Sequence, residues 1–493
     1  MGAKDSVHTS GVRIRALGTA NHLCRALEHW SSSMPNFGEH YHKLPFGSGI
    51  IVSNVEADVT RMQIAFKQND LLWNRLLSEE PLRNMWKDEG LEMPPAIDYR
   101  QLRYEKQLSQ DVTFVTVPTS AGRQLMVFKS QTKSCSELYH EVKVLLTLPR
   151  SAYIAEPPAF LVTTNKGDPH DSRVCGFLMK YYKLGTLYTI LPQRRREGTL
   201  ALDQQIQWAK DITSALMHVM SVPGNFYSDL RMDNIVLFAN SDGSETAVLI
   251  DFEQSRNVYN WAPPEIYYME WVAELANEDL GCSDTVDQET RLRYSALLER
   301  FLSIKEHPAT FQSPPEKYDN PPHGWYYPWL ASTPQEQEAC EVYLLGKALY
   351  CLFEGLADHS IILGRSTTNE GEQLFPEFRH TPPPLRDLIK HCTAGAREWK
   401  DGPMKITRCG GKVVPLGKTG RNGETEATFD ETKVVIKDFW QNEMKKAEAF
   451  IDAKGRYESG EADDNDLELL DYLRRSKLAH VLHTLESFRM SLS

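Results

Sequence analysis

Short apolar runs alternate with turn residues across the segment 96–182. Residues 113–117 and 124–129 are strand-like and separated by a turn rich in Pro, Ser and Gly, and residues 175–179 resemble a buried strand. Between these strands, residues 138–148 carry apolar positions at helical spacing. The pattern predicts a small β-rich domain with one helix.

Longer stretches with helical spacing dominate the rest of the chain. They predict helices at residues 203–221, 431–453 and 465–489. We assign residues 183–400 to a large, mainly helical domain with an insertion at 266–337, and residues 401–493 to a helical tail. The insertion contains a helical part, 290–302, and a part rich in proline and aromatic residues, 314–329. The aromatic residues of this second part either bind an acceptor or cover the domain. The tail helices are expected to have solvated faces and one apolar stripe.

Residues 1–95 form an extension before the β-rich domain. Apolar positions within residues 56–87 recur near helical spacing and predict one or two amphipathic helices, broken near Pro81. The pair Pro94-Pro95 marks the boundary of this extension. The predicted fold class is therefore α+β, with a small β-rich and a large helical part.

Composition and charge limit the classes of partner and the cellular compartment that are expected for this protein. The 493-residue chain is 41% hydrophobic and 25% charged, as is ordinary for globular proteins. Its net charge of −12 argues against a nucleic-acid partner held by a basic surface. Eight cysteines are scattered without metal-ligand spacing, which favours a reducing compartment.

The expected location is the cytoplasm, without a transmembrane segment. No apolar run approaches the roughly 20 residues that a membrane-spanning helix needs. Gly2 matches the loose pattern for myristoylation, which would add a weak membrane association. An unmodified terminus is the preferred interpretation, because the pattern is short.

Four polar residues lie beside apolar strands in an order that suits phosphoryl transfer. Arg231 is two positions after Asp229, Asn234 is five positions after it, and Asp251 ends the next apolar strand. Transfer from a magnesium nucleotide needs a carboxylate to orient the acceptor hydroxyl and a cation to stabilise the moving phosphoryl group. It also needs further oxygen ligands for the metal. Asp229 and Arg231 are the predicted catalytic pair, and Asn234 and Asp251 are the predicted Mg²⁺ ligands.

This stretch resembles the catalytic loop and metal-binding turn of the protein-kinase-like superfamily. The resemblance covers about residues 100–400 without the insertion, and it implies a bilobal fold that binds ATP and Mg²⁺. Residues 341–355 resemble the central helix of the large lobe, with Glu341 in place of an Asp, and 385–397 resemble its closing helix. Residues 262–265 resemble the Ala-Pro-Glu motif, and Arg397 is a candidate ion-pair partner for Glu265.

The resemblance also implies a set of nucleotide-binding residues in the small lobe. Lys129 ends a predicted strand, as does the family's lysine for the α- and β-phosphates. Glu141 on the following helix is its expected partner, with Glu137 as the alternative. Met179 matches the gatekeeper position, and the connection around Tyr181 matches the hinge whose backbone binds adenine.

Three departures from the family pattern leave the function open. Gly122 is the only glycine between Tyr104 and Lys129, so the Gly-rich phosphate loop is replaced by residues with side chains. Tyr227-Ser228 stands where the family has His-Arg, which implies that phosphorylation does not switch the enzyme. Glu253 replaces a glycine, as in choline-kinase and aminoglycoside-phosphotransferase relatives, and it should hold the turn in one state.

Three functions therefore remain. A kinase for Ser or Thr of a protein is favoured by the matches at 262–265 and 341–355. A kinase for a small-molecule hydroxyl is favoured by Glu253 and the aromatic part of the insertion. A pseudokinase that serves as a binding or scaffold module is favoured by the missing glycines.

Overall fold

The computed structural model separates into two compact units. The first comprises Met1–Tyr139 and Pro157–Tyr181, and the second comprises His140–Glu156 and Tyr182–Ser493. The structure describes residues 5–86, 91–109, 111–119, 122–132, 135–165, 170–254, 261–276, 288–304, 327–330, 332–359, 375–401, 406–409, 412–415 and 427–492. The fold is α+β, with one mixed six-stranded sheet and many helices.

The first unit is built around the six-stranded sheet. In chain order its elements are α1 (Asp5–Ser33), α2 (Phe37–His42), β1 (Gly49–Asn54), β2 (Gln63–Lys67), α3 (Asp70–Arg75), α4 (Glu79–Trp86), β3 (Ala96–Asp98), β4 (Arg103–Gln107), β5 (Val112–Thr119), β6 (Gly122–Ser130), α5 (Cys135–Thr147), β7 (Phe160–Thr164) and β8 (Arg173–Lys180). The strand order is β3-β7-β8-β6-β5-β4, and all neighbours are antiparallel except β3 and β7. The predicted strands at 113–117, 124–129 and 175–179 and the helix at 138–148 are confirmed as β5, β6, β8 and α5. The division between the units falls inside α5, so Glu141 belongs to the second unit.

A glycine allows the two central strands of this sheet to approach closely. Gly176 of β8 pairs with Ser130 of β6. A Cβ atom at Gly176 would collide with the Lys129 carbonyl oxygen and with the Phe128 ring. The exchange of Gly176 for any larger residue would therefore disturb the strand that carries Lys129.

The prediction of helix throughout residues 56–87 is wrong in its first half. Residues 63–67 form β2, which pairs with β1 in an antiparallel hairpin. Ile64 and Phe66 are half-buried there with exposed neighbours, so their spacing of two reflects a strand. The second half is helical, as α3 and α4. Pro81 lies near the start of α4 instead of breaking a helix, since the first turn does not need its missing N–H.

The second unit is mainly helical. Its elements are α6 (Leu187–Glu197), α7 (Leu202–Met220), β9 (Ile235–Ala239), β10 (Glu245–Leu249), α8 (Pro264–Ala276), α9 (Gln288–Ile304), α10 (Tyr327–Leu330), α11 (Pro334–Glu354), α12 (Pro383–Cys392), α13 (Arg397–Lys400), β11 (Ile406–Cys409), β12 (Lys412–Pro415), α14 (Phe429–Ser459), α15 (Asp464–Leu469) and α16 (Leu478–Leu492). From Glu336 to Glu354 the central helix α11 is buried at every position except Glu338. It begins at a Thr333 and Glu336 capping box and ends where Gly355 adopts a left-handed conformation. The helices predicted at 203–221 and 341–355 are confirmed as α7 and as the greater part of α11.

The tail is packed into the second unit by its apolar stripe. Ala447, Phe450 and Ile451 of α14 are buried in one cluster with side chains of α8 and α9. The predicted helix at 431–453 is confirmed as part of α14. The predicted helix at 465–489 is instead two helices, α15 and α16.

The described residues of the insertion pack against the rest of the second unit. The predicted helix at 290–302 is confirmed within α9. Trp329 is fully buried and stacks on Phe226 with ring centroids 5.2 Å apart, which favours the covering role for this aromatic residue. Residues 277–287 and 305–326 of the insertion lie outside the described residues, as does Gly2.

The predicted pair of Arg397 with Glu265 is wrong. Glu265 is bound by Arg475 of the tail, whose Nη1 and Nη2 both donate to its carboxylate, the latter over 3.0 Å. Arg397 instead donates to Glu443 of α14 over 2.7 Å. The tail thus supplies the cation that the closing helix was expected to provide.

None of the helices in the described residues is long and apolar enough to cross a membrane.

Candidate functional site

The loop between α7 and β9 carries Asp229 in a strained backbone conformation that long-range hydrogen bonds stabilise. Ser228 has a φ of 69°, in the left-handed region that a residue with a side chain rarely adopts. The Glu341 carboxylate of α11 accepts hydrogen bonds from the Tyr227 and Ser228 N–H groups, at 2.5 and 2.8 Å. The Tyr227 hydroxyl donates to the Ile250 carbonyl oxygen at the end of the neighbouring strand. These long-range bonds stabilise a conformation that the local sequence would not favour.

Asp229, Arg231 and Asn234 form one hydrogen-bonded group. Arg231 donates through Nε and Nη2 to the two Asp229 carboxylate oxygens, at 3.0 and 3.1 Å. Asn234 Nδ2 donates to Asp229 Oδ2 and to the Asp229 carbonyl oxygen, both at 2.9 Å. The spacing of two and five residues therefore brings all three side chains together within one loop.

Burial changes the acid–base properties of this group. Asp229 is only 6% exposed. Desolvation raises the pKa of Asp229 to about 6, against the opposing effect of the Arg231 charge. The carboxylates of Asp229 and Asp233 raise the pKa of Arg231 despite its burial, so the guanidinium stays charged. A carboxylate that titrates near neutral pH is suited to accept a proton from a hydroxyl.

A second strained turn follows β10. Asp251 has a φ of 67° and Gln254 a φ of 49°. The Ile250 N–H donates to the Asn234 carbonyl oxygen over 3.0 Å, which holds the start of this turn beside the first loop. Phe252 is buried and packs edge-on against the Tyr227 ring, with centroids 5.1 Å apart. Asn234 and Asp251 therefore lie on adjacent, hydrogen-bonded segments.

Three carboxylates converge at this second turn. Glu141, Asp251 and Glu253 each offer an oxygen atom, and these atoms lie within 4.8 Å of one another. Glu141 Oε1 also accepts the Phe252 N–H over 3.1 Å, which ties α5 to the turn. Oxygen ligands of this kind are those that Mg²⁺ prefers, so the donor set fits a hard divalent cation.

The metal ligands predicted from the sequence and those that the structure groups overlap in one residue. Asp251 belongs to both sets. Glu141 was instead expected to pair with Lys129, and Glu253 was expected to hold the turn in one conformation. The orientation of Asn234, whose nitrogen faces Asp229, makes its amide oxygen the atom that can ligate a cation. The signal for Glu253 in the sequence was its position two residues after Asp251, in the turn that follows β10.

A buried polar chain links α5 to both loops. His140 Nε2 donates to Gln254 Oε1 over 2.6 Å, and Gln254 Nε2 donates to the Phe226 carbonyl oxygen. Burial lowers the pKa of His140 to about 4, so the imidazole is neutral at physiological pH. No periodicity or spacing in the sequence indicated that His140, Gln254 and the Phe226 carbonyl group would be hydrogen-bonded to one another.

The remaining predicted residues lie in the first unit. Lys129 is buried on β6 opposite Val112 of β5 and Phe177 of β8. Met179 is buried on β8, and Tyr181 follows that strand and packs edge-on against Phe114, with centroids 4.6 Å apart. Their assignment to nucleotide binding stays a prediction, and so does that of the alternative Glu137, on the first turn of α5.

Backbone hydrogen bonds flank the connection between β4 and β5, where the sequence predicted a phosphate loop without glycines. The Leu108 and Ser109 N–H groups both donate to the Val112 carbonyl oxygen, at 2.9 and 3.2 Å. The Ser130 N–H donates to the Asp111 carbonyl oxygen over 2.9 Å. Backbone bonds therefore connect β4, β5 and β6 here without a glycine.

Comparison of the chain with protein-family models and with curated proteins found no match.

Proposed function

We propose that the protein transfers the γ-phosphoryl group of Mg-ATP to a hydroxyl group. The observation that carries this proposal is the buried group of Asp229, Arg231 and Asn234, hydrogen-bonded to the segment that bears Asp251. Asp229 would orient the acceptor hydroxyl and accept its proton, while Arg231 would stabilise charge on the transferring group. Glu141, Asp251, Glu253 and the Asn234 oxygen would hold Mg²⁺, which supplies charge neutralisation at the phosphates.

The proposal includes a bilobal, protein-kinase-like arrangement. In it, Lys129 would bind the α- and β-phosphates, and the backbone around Met179 and Tyr181 would bind the adenine ring. We propose a Ser or Thr side chain of a protein as the acceptor. The burial of Trp329 supports this choice, since it removes one aromatic residue from the surface that a small acceptor would use.

An Asp229→Asn variant tests the catalytic assignment. The amide keeps the size of the side chain but cannot accept the proton, so turnover should fall by about 10²- to 10⁴-fold. Nucleotide binding should persist, because Asp229 is not a proposed metal ligand. Turnover is measured as release of labelled phosphate to a Ser/Thr peptide mixture, and binding by calorimetry with Mg-ADP.

Asp242→Asn is the matched control for this variant. Asp242 lies in the exposed turn between β9 and β10, where it accepts bonds from Ser244. The same chemical change there should leave turnover intact. Equal turnover in the Asp229→Asn variant and the wild type would refute the role of Asp229.

A second candidate is a nucleotide-binding module without turnover. It is favoured by the engagement of both Asp229 carboxylate oxygens with Arg231 and Asn234, which leaves the acid less accessible to a hydroxyl. This function predicts a rise in melting temperature with Mg-ATP and no transfer of label to peptides or to small alcohols. Transfer of label to small alcohols alone would support the small-molecule kinase.

A further inference from the structure

A cavity of about 300 Å³ lies in the second unit, apart from the Asp229 group. Helices α8, α13 and α14 and the short 3-10 helix Asp471–Arg474 supply its walls. Of the described residues that line it, none belongs to the proposed catalytic or metal-binding set. Its volume is at the lower end of the range that small-molecule sites occupy.

Aromatic side chains form much of the cavity wall. Tyr267 and Tyr268 come from α8, Phe450 from α14 and Tyr472 from the 3-10 helix. The Phe450 ring lies 5.8 Å from that of Tyr268 and 6.5 Å from that of Tyr472. Such rings offer flat apolar contact area, which suits a planar ligand.

The charged side chains at the cavity favour an anion. Nine of the lining residues carry a charge, and five of these are cationic: Arg397, Lys400, Lys445, Lys446 and Arg475. The excess of cations is notable because the chain as a whole has a net charge of −12. A local field of this sign attracts negatively charged ligands.

Two carboxylates, Asp471 in the cavity wall and Glu443 outside the lining, each accept bonds from two cations. Glu443, which is 1% exposed, accepts bonds from Arg397 over 2.7 Å and from Lys446 over 3.3 Å. Asp471 accepts bonds from Lys400 and, over 2.5 Å, from Arg474. Lys446 also pairs with Asp401, so Arg397, Lys400 and Lys446 each have a carboxylate partner.

Lys445 is the cation best placed to bind an incoming anion. It is exposed and lines the cavity, and no residue in the described part of the chain forms an ion pair with it. We propose that this cavity binds a small planar aromatic carboxylic acid. The ring would contact Tyr268 and Phe450, and the carboxylate would pair with Lys445.

Calorimetry of the full chain with 2-naphthoate as the probe tests this site. The neutral isostere 2-naphthylmethanol should bind at least about tenfold more weakly, since it lacks the charge. Lys445→Gln should weaken naphthoate binding by about three- to tenfold. Lys437→Gln, an equal change at an exposed position of α14 that does not line the cavity, should leave the affinity unchanged.

A cavity-filling variant provides an independent check. Ala449 lines the cavity, and Ala449→Trp should abolish naphthoate binding. If this variant fails to fold, the comparison of naphthoate affinity between Lys445→Gln and Lys437→Gln still tests whether the ligand binds at this cavity. Absence of binding at millimolar naphthoate, equal affinity for the alcohol, or unchanged affinity in Lys445→Gln would each overturn the proposal. These measurements are independent of phosphoryl transfer, so their failure is distinct from failure of the Asp229 assignment.

Discussion

At the scale of single residues, the candidate site depends on two backbone conformations that side-chain-bearing residues rarely adopt. Ser228 precedes Asp229 in the left-handed region, and Asp251 is itself left-handed. Each such conformation costs about 1 kcal/mol or more. Glu341 and the Tyr227 hydroxyl offset part of that cost, because they bind the two segments to the core.

The pH dependence of turnover should follow Asp229. Burial raises the pKa of Asp229 to about 6, so it keeps its proton to a higher pH than an exposed aspartate does. We expect kcat/KM to fall about tenfold for each pH unit below that value, because only the ionised carboxylate accepts the hydroxyl proton. The profile is measured from pH 5 to 8 under conditions where calorimetry shows nucleotide binding to be constant. A flat profile would contradict the assignment.

Glu341→Gln should change how stability depends on pH. Desolvation raises the pKa of Glu341 to about 7, so between about pH 4.5 and 7 the folded chain holds a proton that the unfolded chain has released. The free energy of unfolding therefore falls as pH rises through this range, and a neutral Gln avoids that loss. We expect the variant to gain up to about 3 kcal/mol on the wild type between pH 5 and 8.

Urea unfolding at each pH measures this gain. Glu338→Gln on the same helix is the control, since that carboxylate accepts one N–H, from Leu478, over 3.1 Å and lies partly exposed. A parallel pH dependence in the wild type and the Glu341→Gln variant would show that Glu341 does not cause the loss.

At the scale of helices, one arginine connects four segments of the second unit. Arg475 of the tail binds Glu265 of α8 with two nitrogens and donates to the Ala339 carbonyl oxygen of α11 over 3.0 Å. Its Nε donates to the Ala394 carbonyl oxygen after α12 over 2.9 Å. The guanidinium also lies 4.7 Å from the Tyr343 ring centroid.

Arg475→Met should destabilise the second unit by about 3–5 kcal/mol, because it leaves the buried Glu265 carboxylate without its cation. Arg489→Met is the matched control: Arg489 pairs with the exposed Asp203, so its loss should cost at most about 1 kcal/mol. Denaturant unfolding measures both. Adding Glu265→Gln to Arg475→Met should recover part of the loss, and no recovery would mean that the buried charge is not the cause.

At the scale of the whole molecule, the tail is part of the core of the second unit. It contributes buried apolar side chains to that core, among them Ala447, Phe450, Ile451, Leu470, Val481 and Leu485. Burial of one large apolar side chain stabilises a protein by about 1.5–3 kcal/mol, so their sum is comparable to the whole stability of a typical domain.

A chain that ends at residue 426 should therefore fail to form a stable second unit. We expect a broadened thermal transition and binding of a hydrophobic dye, as α8, α9 and α11 lose their apolar cover. Deletion of residues 1–33 is the comparison, because among the described side chains of α1 only Ala26 is buried. Circular dichroism melting distinguishes the two chains, and equally cooperative unfolding of both would show that the tail is dispensable.

The sequence alone determined the local features. The strands β5, β6 and β8 and the helices α5 and α7 follow from the pattern of apolar positions, because burial selects apolar residues at the spacing of each element. The sequence also identified Asp229, Arg231 and Asn234 as candidates, because their residue types and order suit phosphoryl transfer. Residues 63–67 were misassigned because a few apolar positions fit a strand and a helix alike.

Only the tertiary structure decided the long-range partners. Arg475 and not Arg397 binds Glu265 across 210 positions of sequence, and Glu253 joins Glu141 and Asp251 because α5 packs on the turn after β10. A chain with 55 basic and 67 acidic residues offers many possible pairs of opposite charge. Packing of apolar surfaces selects among them, since a buried charge is tolerated only where the fold brings its partner within hydrogen-bonding distance.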